Sequence, residues 1–368
     1  MCYYTVNYVT SVALLRRKER KMRKTFVDNL RSFVIVLVLI FHVIATFNSN
    51  GSPLNFNGKG LAYMDAIGYM IYPWFMILLF AVSGMVAKYA LEKRNLKNFL
   101  HERTRSLFIP FICYQVLLGI PVSMFSFKIN NIEESLRELP AIAIHIIRVV
   151  NGMGPSWFMI QLFISSLIFA LFYSMMGKNA NHKMSALAEK TNLLILIGLF
   201  VPIYLSSQYL YLAYTFRFLL FTLSFVLGFY VFSSDKVQDI LAKYSAHLLI
   251  AGLILGAVQT YIYWGQSFQL IVNEFVVVLF SWIMVLAMLG IFKRRFDQQN
   301  RMWTFLNKYS YSFYIFHYLP LTVGGYYIDQ WVHAGMIKYL LLFIWTFAAS
   351  MVMHHIIMIL LVVRDILR

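Results

Sequence analysis

Charge is scarce in this 368-residue chain. Asp, Glu, Lys and Arg make up only 13% of it, with 15 acids against 32 Lys and Arg. A soluble protein of this length needs far more charged surface, so a water-soluble globular class is excluded. Cysteine is nearly absent: Cys2 and Cys113 are too few and too badly placed for a disulfide framework or a metal site. No connecting stretch is long enough for a separate folded domain, and neither an internal repeat nor a matched pair of Gly/Pro-broken helices is visible. Met1–Leu15 lacks the basic start of a cleavable signal. Met22 stands just ahead of the first apolar run, so residues 1–21 read as an upstream extension or a tail. The formal charge of +17 invites a nucleic-acid partner, but the basic residues fall in short runs between apolar segments. That is the pattern of loop charges in a membrane protein, and it rejects nucleic acid.

What the chain has is apolar length. It is 60% hydrophobic, with mean hydropathy +0.68. Runs long enough to span, or nearly so, occur at about 33–48, 68–88, 107–126, 156–176, 192–207, 211–232, 246–263, 270–291, 310–327 and 338–362. The expected fold is therefore all-α, a polytopic membrane protein of ten helices with both termini on one side. Residues 140–150 are too short and polar to span and read as an interfacial or re-entrant helix. With the N-terminus inside, 26 of the 32 Lys and Arg lie on the inner side; the outer ones are Lys59, Lys128, Arg137, Arg148, Arg217 and Lys338. Acids divide nine inside and six outside, so the whole formal charge is cytoplasmic. This positive-inside bias orients both termini to the cytoplasm of a cell (inner or plasma) membrane. The expected division is a basic tail over 1–24, a transmembrane domain over 25–363 and a short tail over 364–368.

Four polar constellations interrupt the apolar background. Arg31 and His42 in the first run are eleven residues apart, three helical turns plus roughly 20°, so they share a face about 16 Å apart. An ionisable group near the middle of the bilayer is costly unless it faces a bundle interior or a wet cavity, although a neighbouring helix carbonyl could also satisfy this histidine. Asp28, three residues before Arg31, is a capping residue or a site partner. The second constellation is Ser83-Gly84, followed by Lys88, Lys93, Arg94, Lys97, Arg103 and Arg105 before Pro110. A guanidinium fork matches phosphate oxygens, and topogenic charge is the plainer reading of the first lysines. The third is Gly152–Phe158 with Trp157, an interface anchor or a pocket wall. The fourth is Tyr309–His317, where Tyr314 and His317 share a face; Glu274 adds a carboxylate at the outer part of the eighth run. The adjacent His354-His355 point about 100° apart and do not suit one metal ion, so no metal is expected.

These elements together resemble the acyltransferase-3 superfamily of integral membrane O-acyltransferases. The resemblance covers about residues 24–362 and rests on Arg31-x10-His42, Phe80-Ala-Val-Ser-Gly84, Arg103-Thr-Arg-Ser-Leu-Phe-Ile-Pro110, Ser156-Trp-Phe-Met159 and Ser312-Phe-Tyr-Ile-Phe-His317. Asp28-x2-Arg31, Phe41-His42 and the ninth-run Tyr-x-x-His ahead of Pro320 are most similar to the branch that includes the periplasmic glucan succinyltransferase. Ser156 departs from that branch, which has a His before the Trp-Phe pair. The resemblance implies transfer of an acyl group, of O-acetyl or O-succinyl type, from cytoplasmic acyl-CoA to a hydroxyl of an extracytoplasmic glycan or other cell-surface acceptor. It implies acyl-CoA as co-substrate and no permanently bound cofactor. His42 is then the expected general base, since imidazole titrates near the working pH. Arg31 and Glu274 join it in the catalytic set, and Asp28, Ser83, Arg103, Arg105, Trp157, Tyr314 and His317 form the substrate-binding set. The alternative is an exporter of polysaccharide or small molecules with the same architecture.

Overall fold

The computed structural model of the chain describes residues 24–366 apart from 52–59, 130–135, 137, 211–215 and 334, with side chains described to Ile359. Nearly all of the expected basic tail lies outside the described residues, as do Lys59, Glu133, Glu134, Arg137 and residues 367–368. Among the described residues there are helices and turns and no strand. Seven helices are long and apolar enough to cross a membrane: α1 Thr25–Thr46, α2 Ala62–Leu91, α3 Leu96–Lys128, α5 Gly154–Ala188, α8 Asp235–Ile262, α9 Phe275–Arg295 and α12 Gly335–Ile366. Three shorter apolar helices are α4 Ala141–Asn151, α6 Leu193–Ser207 and α7 Phe218–Phe232. The remaining pair is α10 Arg301–Phe316 and α11 Tyr318–Trp331. The chain is an all-helical membrane protein.

The apolar run expected as one helix over 310–327 is two. Helix α10 ends at Phe316, four residues before Pro320, and α11 begins at Tyr318. Proline has no N–H to offer the carbonyl of residue i−4 and its ring crowds that carbonyl, so a break falls there. It falls at His317. Proline leaves a different result at Pro73 inside α2, because the freed carbonyl is repaired by another helix. Buried Gln259 of α8 donates from Nε2 to the Tyr69 carbonyl at 2.9 Å, satisfying the group that Pro73 orphans.

Among the seven long helices, three are mostly interior. Within their most apolar windows α1, α2 and α9 are 67–72% buried, whereas α12 is 17% buried. Apolar residues facing outward on α12, such as Leu340, Ile344 and Val352, suit lipid. The α2–α7 crossing is very close. A Cβ on Gly84 would sit 2.0 Å from the Phe225 carbonyl oxygen, and one on Gly228 would sit 1.9 Å from that of Ala81. Small residues let backbones approach this way in membrane bundles.

Polar groups clamp the first turns of α1. Asp297 accepts from the Phe26 amide at 3.0 Å. Asn29 Nδ2 donates to the carbonyls of Phe296 and Gln298, and its Oδ1 accepts from Asn307 Nδ2 at 2.8 Å. Ser32 Oγ donates to Asn307 Oδ1 at 2.6 Å. The orphan donor at the start of α1 and a buried amide are thereby satisfied, and α1 is pinned to α10 and to the turn before it.

Candidate active site

One stripe of α1 lines two cavities in succession. Arg31 and Ile35 face an inner cavity of about 230 Å³. Val38, Phe41, His42 and Ala45 face an outer one of about 410 Å³. Steps of three and four residues keep these side chains on a single face, so Arg31 and His42 do lie along one wall, as their spacing predicts. Helix α2 runs a parallel stripe, with Leu79, Ser83 and Val86 at the inner cavity and Tyr72, Phe75 and Met76 at the outer. Phe158 of α5 and Tyr314 of α10 line both, so the two cavities meet at these rings, which lie 5.6 Å apart, edge to face.

The inner cavity carries the cations. Arg31 pairs with Asp28, 3.7 Å away and 9% exposed. Arg103 lines the same cavity with its guanidinium 5.0 Å over the Phe99 ring. Ser83 lines it too, with its hydroxyl donating to the Leu79 carbonyl at 2.8 Å. Ser106 links this space to an open groove formed with Arg94, Asn98, His101, Glu102 and Arg105. Ser106 and Arg105 belong to a π-helical stretch of α3, Thr104–Phe108, a distortion often found at functional sites.

The outer cavity carries the imidazole. His42 Nδ1–H donates to the Val38 carbonyl at 2.8 Å. A carbonyl only accepts, so Nδ1 holds the proton and Nε2 carries the lone pair. His317, at the break between α10 and α11, is held the same way: its Nδ1–H lies 2.9 and 2.8 Å from the carbonyls of Phe313 and Tyr314. It is 2% exposed, and its Nε2 is buried without a hydrogen-bond partner. The two rings are 5.2 Å apart. Tyr314 donates its hydroxyl to the Pro155 carbonyl. Trp157 and Tyr318 complete the aromatic wall, with Tyr318 edge-on to His42 at 5.5 Å. Gly154 makes room for that tyrosine: its φ is +43°, and a Cβ there would lie 2.5 Å from the ring.

Nine of the ten sequence-predicted site residues are brought to this double cavity, its mouth or its immediate back wall. Glu274 is not. It stands exposed at the start of α9, accepts from the Tyr263 hydroxyl at 3.3 Å and lines neither cavity. Tyr72, Phe268 and Tyr318 line the site without having been singled out from the sequence, and Phe158, part of the Gly152–Phe158 motif, was not given a role there. Tyr72 could have been found by extending the Ser83 signal along its own helix, and Phe158 stands next to Trp157 in its motif. Phe268 comes from the turn between α8 and α9 and had no such signal.

A membrane helical bundle with cations in one cavity and an imidazole in the next, the two sharing the Phe158–Tyr314 wall, is equipped for group transfer. The family model described as an acyltransferase domain matches residues 24–355. The chain belongs to this acyltransferase-3 family. No curated protein and no solved structure matches it.

Proposed function

We propose that this membrane acyltransferase moves an acyl group from cytoplasmic acyl-CoA to a hydroxyl of an extracytoplasmic glycan or other cell-surface acceptor, through the passage between the two cavities. The observation that carries this reading is the shared Phe158–Tyr314 wall between a cavity bearing Arg31 and Arg103 and a cavity bearing His42. The CoA phosphates meet the groove of Arg94, His101 and Arg105, the pantetheine arm enters past Ser106, and the thioester reaches the wall. The acceptor hydroxyl enters from the other side, against Trp157, Tyr72 and Tyr318. Aromatic faces suit the apolar faces of a sugar ring.

In the reaction the hydroxyl oxygen attacks the thioester carbonyl while His42 Nε2 takes its proton. The C–O bond forms, the C–S bond breaks, and the CoA thiolate leaves with the proton returned by the imidazolium. The Val38 carbonyl holds the tautomer that this role needs. Arg31, oriented by Asp28, and Arg103 position the donor, and Ser83, Tyr314 and His317 shape the junction. The broader setting follows the charge distribution: ten membrane crossings, with α10 and α11 together making one, and both termini in the cytoplasm of the cell's inner or plasma membrane. Among acyl groups, acetyl and succinyl are the first to test, and a glucan is the first acceptor, by resemblance to the glucan-modifying branch.

The test is free-CoA release by the purified protein in detergent, with acetyl-, succinyl- and longer-chain donors, comparing wild type with His42→Asn. Turnover that collapses in the variant supports the reading. Absence of turnover with every donor, from protein that melts cooperatively, would move the assignment to an exporter.

A further inference from the structure

Arg217 lies in none of the motifs singled out in the sequence, which placed it only among the outer charges, at the outer part of the 211–232 run. It is 4% exposed, at the start of α7. One N–H, on Nη1, donates to the Val272 carbonyl at 3.2 Å, and the guanidinium stands 5.1 Å over the Phe221 ring. Its Nε is buried with no hydrogen-bond partner, and among the described residues no carboxylate lies within ion-pair distance of it. Arginine stays charged in proteins, and a buried charge without a counter-charge is costly. The Val272 carbonyl and the Phe221 face offset part of that cost, and the unpaired Nε leaves a donor for an anion from outside the chain.

Its neighbours point to the outer cavity. Phe216, next in the chain, lines that cavity. Phe221, beneath the guanidinium, lies 5.7 Å from Trp157, another wall residue. Tyr72 of the wall is within its electrostatic reach, and Val272 closes the turn that contributes Phe268 and Gln269. The inner cations Arg31 and Arg103 lie in the other cavity, on the far side of the Phe158–Tyr314 wall. Arg217 does not itself line that cavity; it is a second, separate cation set directly behind its wall.

Resting on the acyl-transfer reading above, we propose that Arg217 binds an anionic oxygen group, a carboxylate or phosphate, carried by the molecule that occupies the outer cavity. The planar guanidinium suits such a group by paired N–H···O contacts. Two sources share this chemistry: an acidic substituent on the acceptor, or the terminal carboxylate of a dicarboxylic acyl group whose carbonyl lies at His42.

Equilibrium binding to the purified full chain in detergent tests this with two matched pairs. Methyl glucuronide against methyl glucoside probes the acceptor source, and succinyl-CoA against butyryl-CoA probes the acyl source. The expected result is that wild type binds the anionic member of one pair at least about 10-fold tighter, a difference of about 1.4 kcal/mol. That preference is cancelled in Arg217→Gln and partly kept in Arg217→Lys. The pair that responds names the source. Equal binding within both pairs by wild type overturns the proposal, as does a preference that survives Arg217→Gln. A loss of affinity for charged and neutral members alike in Arg217→Gln also overturns it, since that marks a structural role through the Val272 contact. Should Arg217→Gln fail to fold, wild type and Arg217→Lys still decide. Because binding needs no turnover, failure of the acyl-transfer reading shows separately, as absent CoA release.

Discussion

Adding one methyl group at Gly84 should loosen the frame that holds both cavities. A Cβ at this position lies 2.0 Å from the Phe225 carbonyl oxygen of α7. Carbon and oxygen settle at about 3.3 Å or more, so α2 and α7 must part by roughly 1.3 Å. The reciprocal contact at Gly228, 1.9 Å from the Ala81 carbonyl, leaves no direction along the crossing in which backbone atoms can yield easily. Overpacking of this kind costs about 1–3 kcal/mol. The functional effect is larger than that cost suggests, because α2 carries Ser83 and Leu79 at one cavity and Tyr72 and Phe75 at the other. A displacement of about 1 Å in a positioning element costs on the order of 10²-fold in rate. The measurement is the thermal unfolding midpoint in detergent together with CoA release for Gly84→Ala. The control is Gly198→Ala, where a Cβ meets nothing within 4 Å. The control should be neutral or gain up to about 1 kcal/mol by restricting the unfolded chain. Wild-type melting and wild-type turnover in Gly84→Ala would refute the close-crossing reasoning.

Further outcomes follow from the site. His42→Asn should lower kcat by about 10²–10⁴-fold while leaving the donor KM within about threefold, since the inner cations lie some three turns away; a pure KM effect would count against a base. Arg103→Ala should raise the donor KM by about tenfold, with Arg103→Lys intermediate, and the readout is the KM for CoA release. Phe158→Leu opens the wall between the cavities and should raise acceptor-independent CoA release by letting water reach the thioester, measured with no glycan added. Glu274→Gln alters an exposed group outside both cavities and should change stability by no more than about 0.5 kcal/mol and turnover little, as checked by the same melting and release assays.

Membrane residence, helical class and the Arg31–His42 wall were legible in the sequence because each depends on local rules. Apolar length sets the helices, and a helical repeat of about 3.6 residues sets which side chains share a face. That two cavities stack along this wall was not legible, because it depends on where Phe158 and Tyr314, from helices far apart in the chain, come to rest. Glu274 and Arg217 show the same limit from opposite sides. Both are single charges near apolar runs, yet tertiary packing leaves Glu274 on the surface and buries Arg217 behind the aromatic wall. Pro320 predicts a break by its missing N–H, but Pro73 does not break α2, because Gln259 from a distant helix reaches the freed carbonyl. Periodicity and composition act within a segment; burial, hydrogen-bond repair and the meeting of cavities act between segments, and only the folded chain settles them.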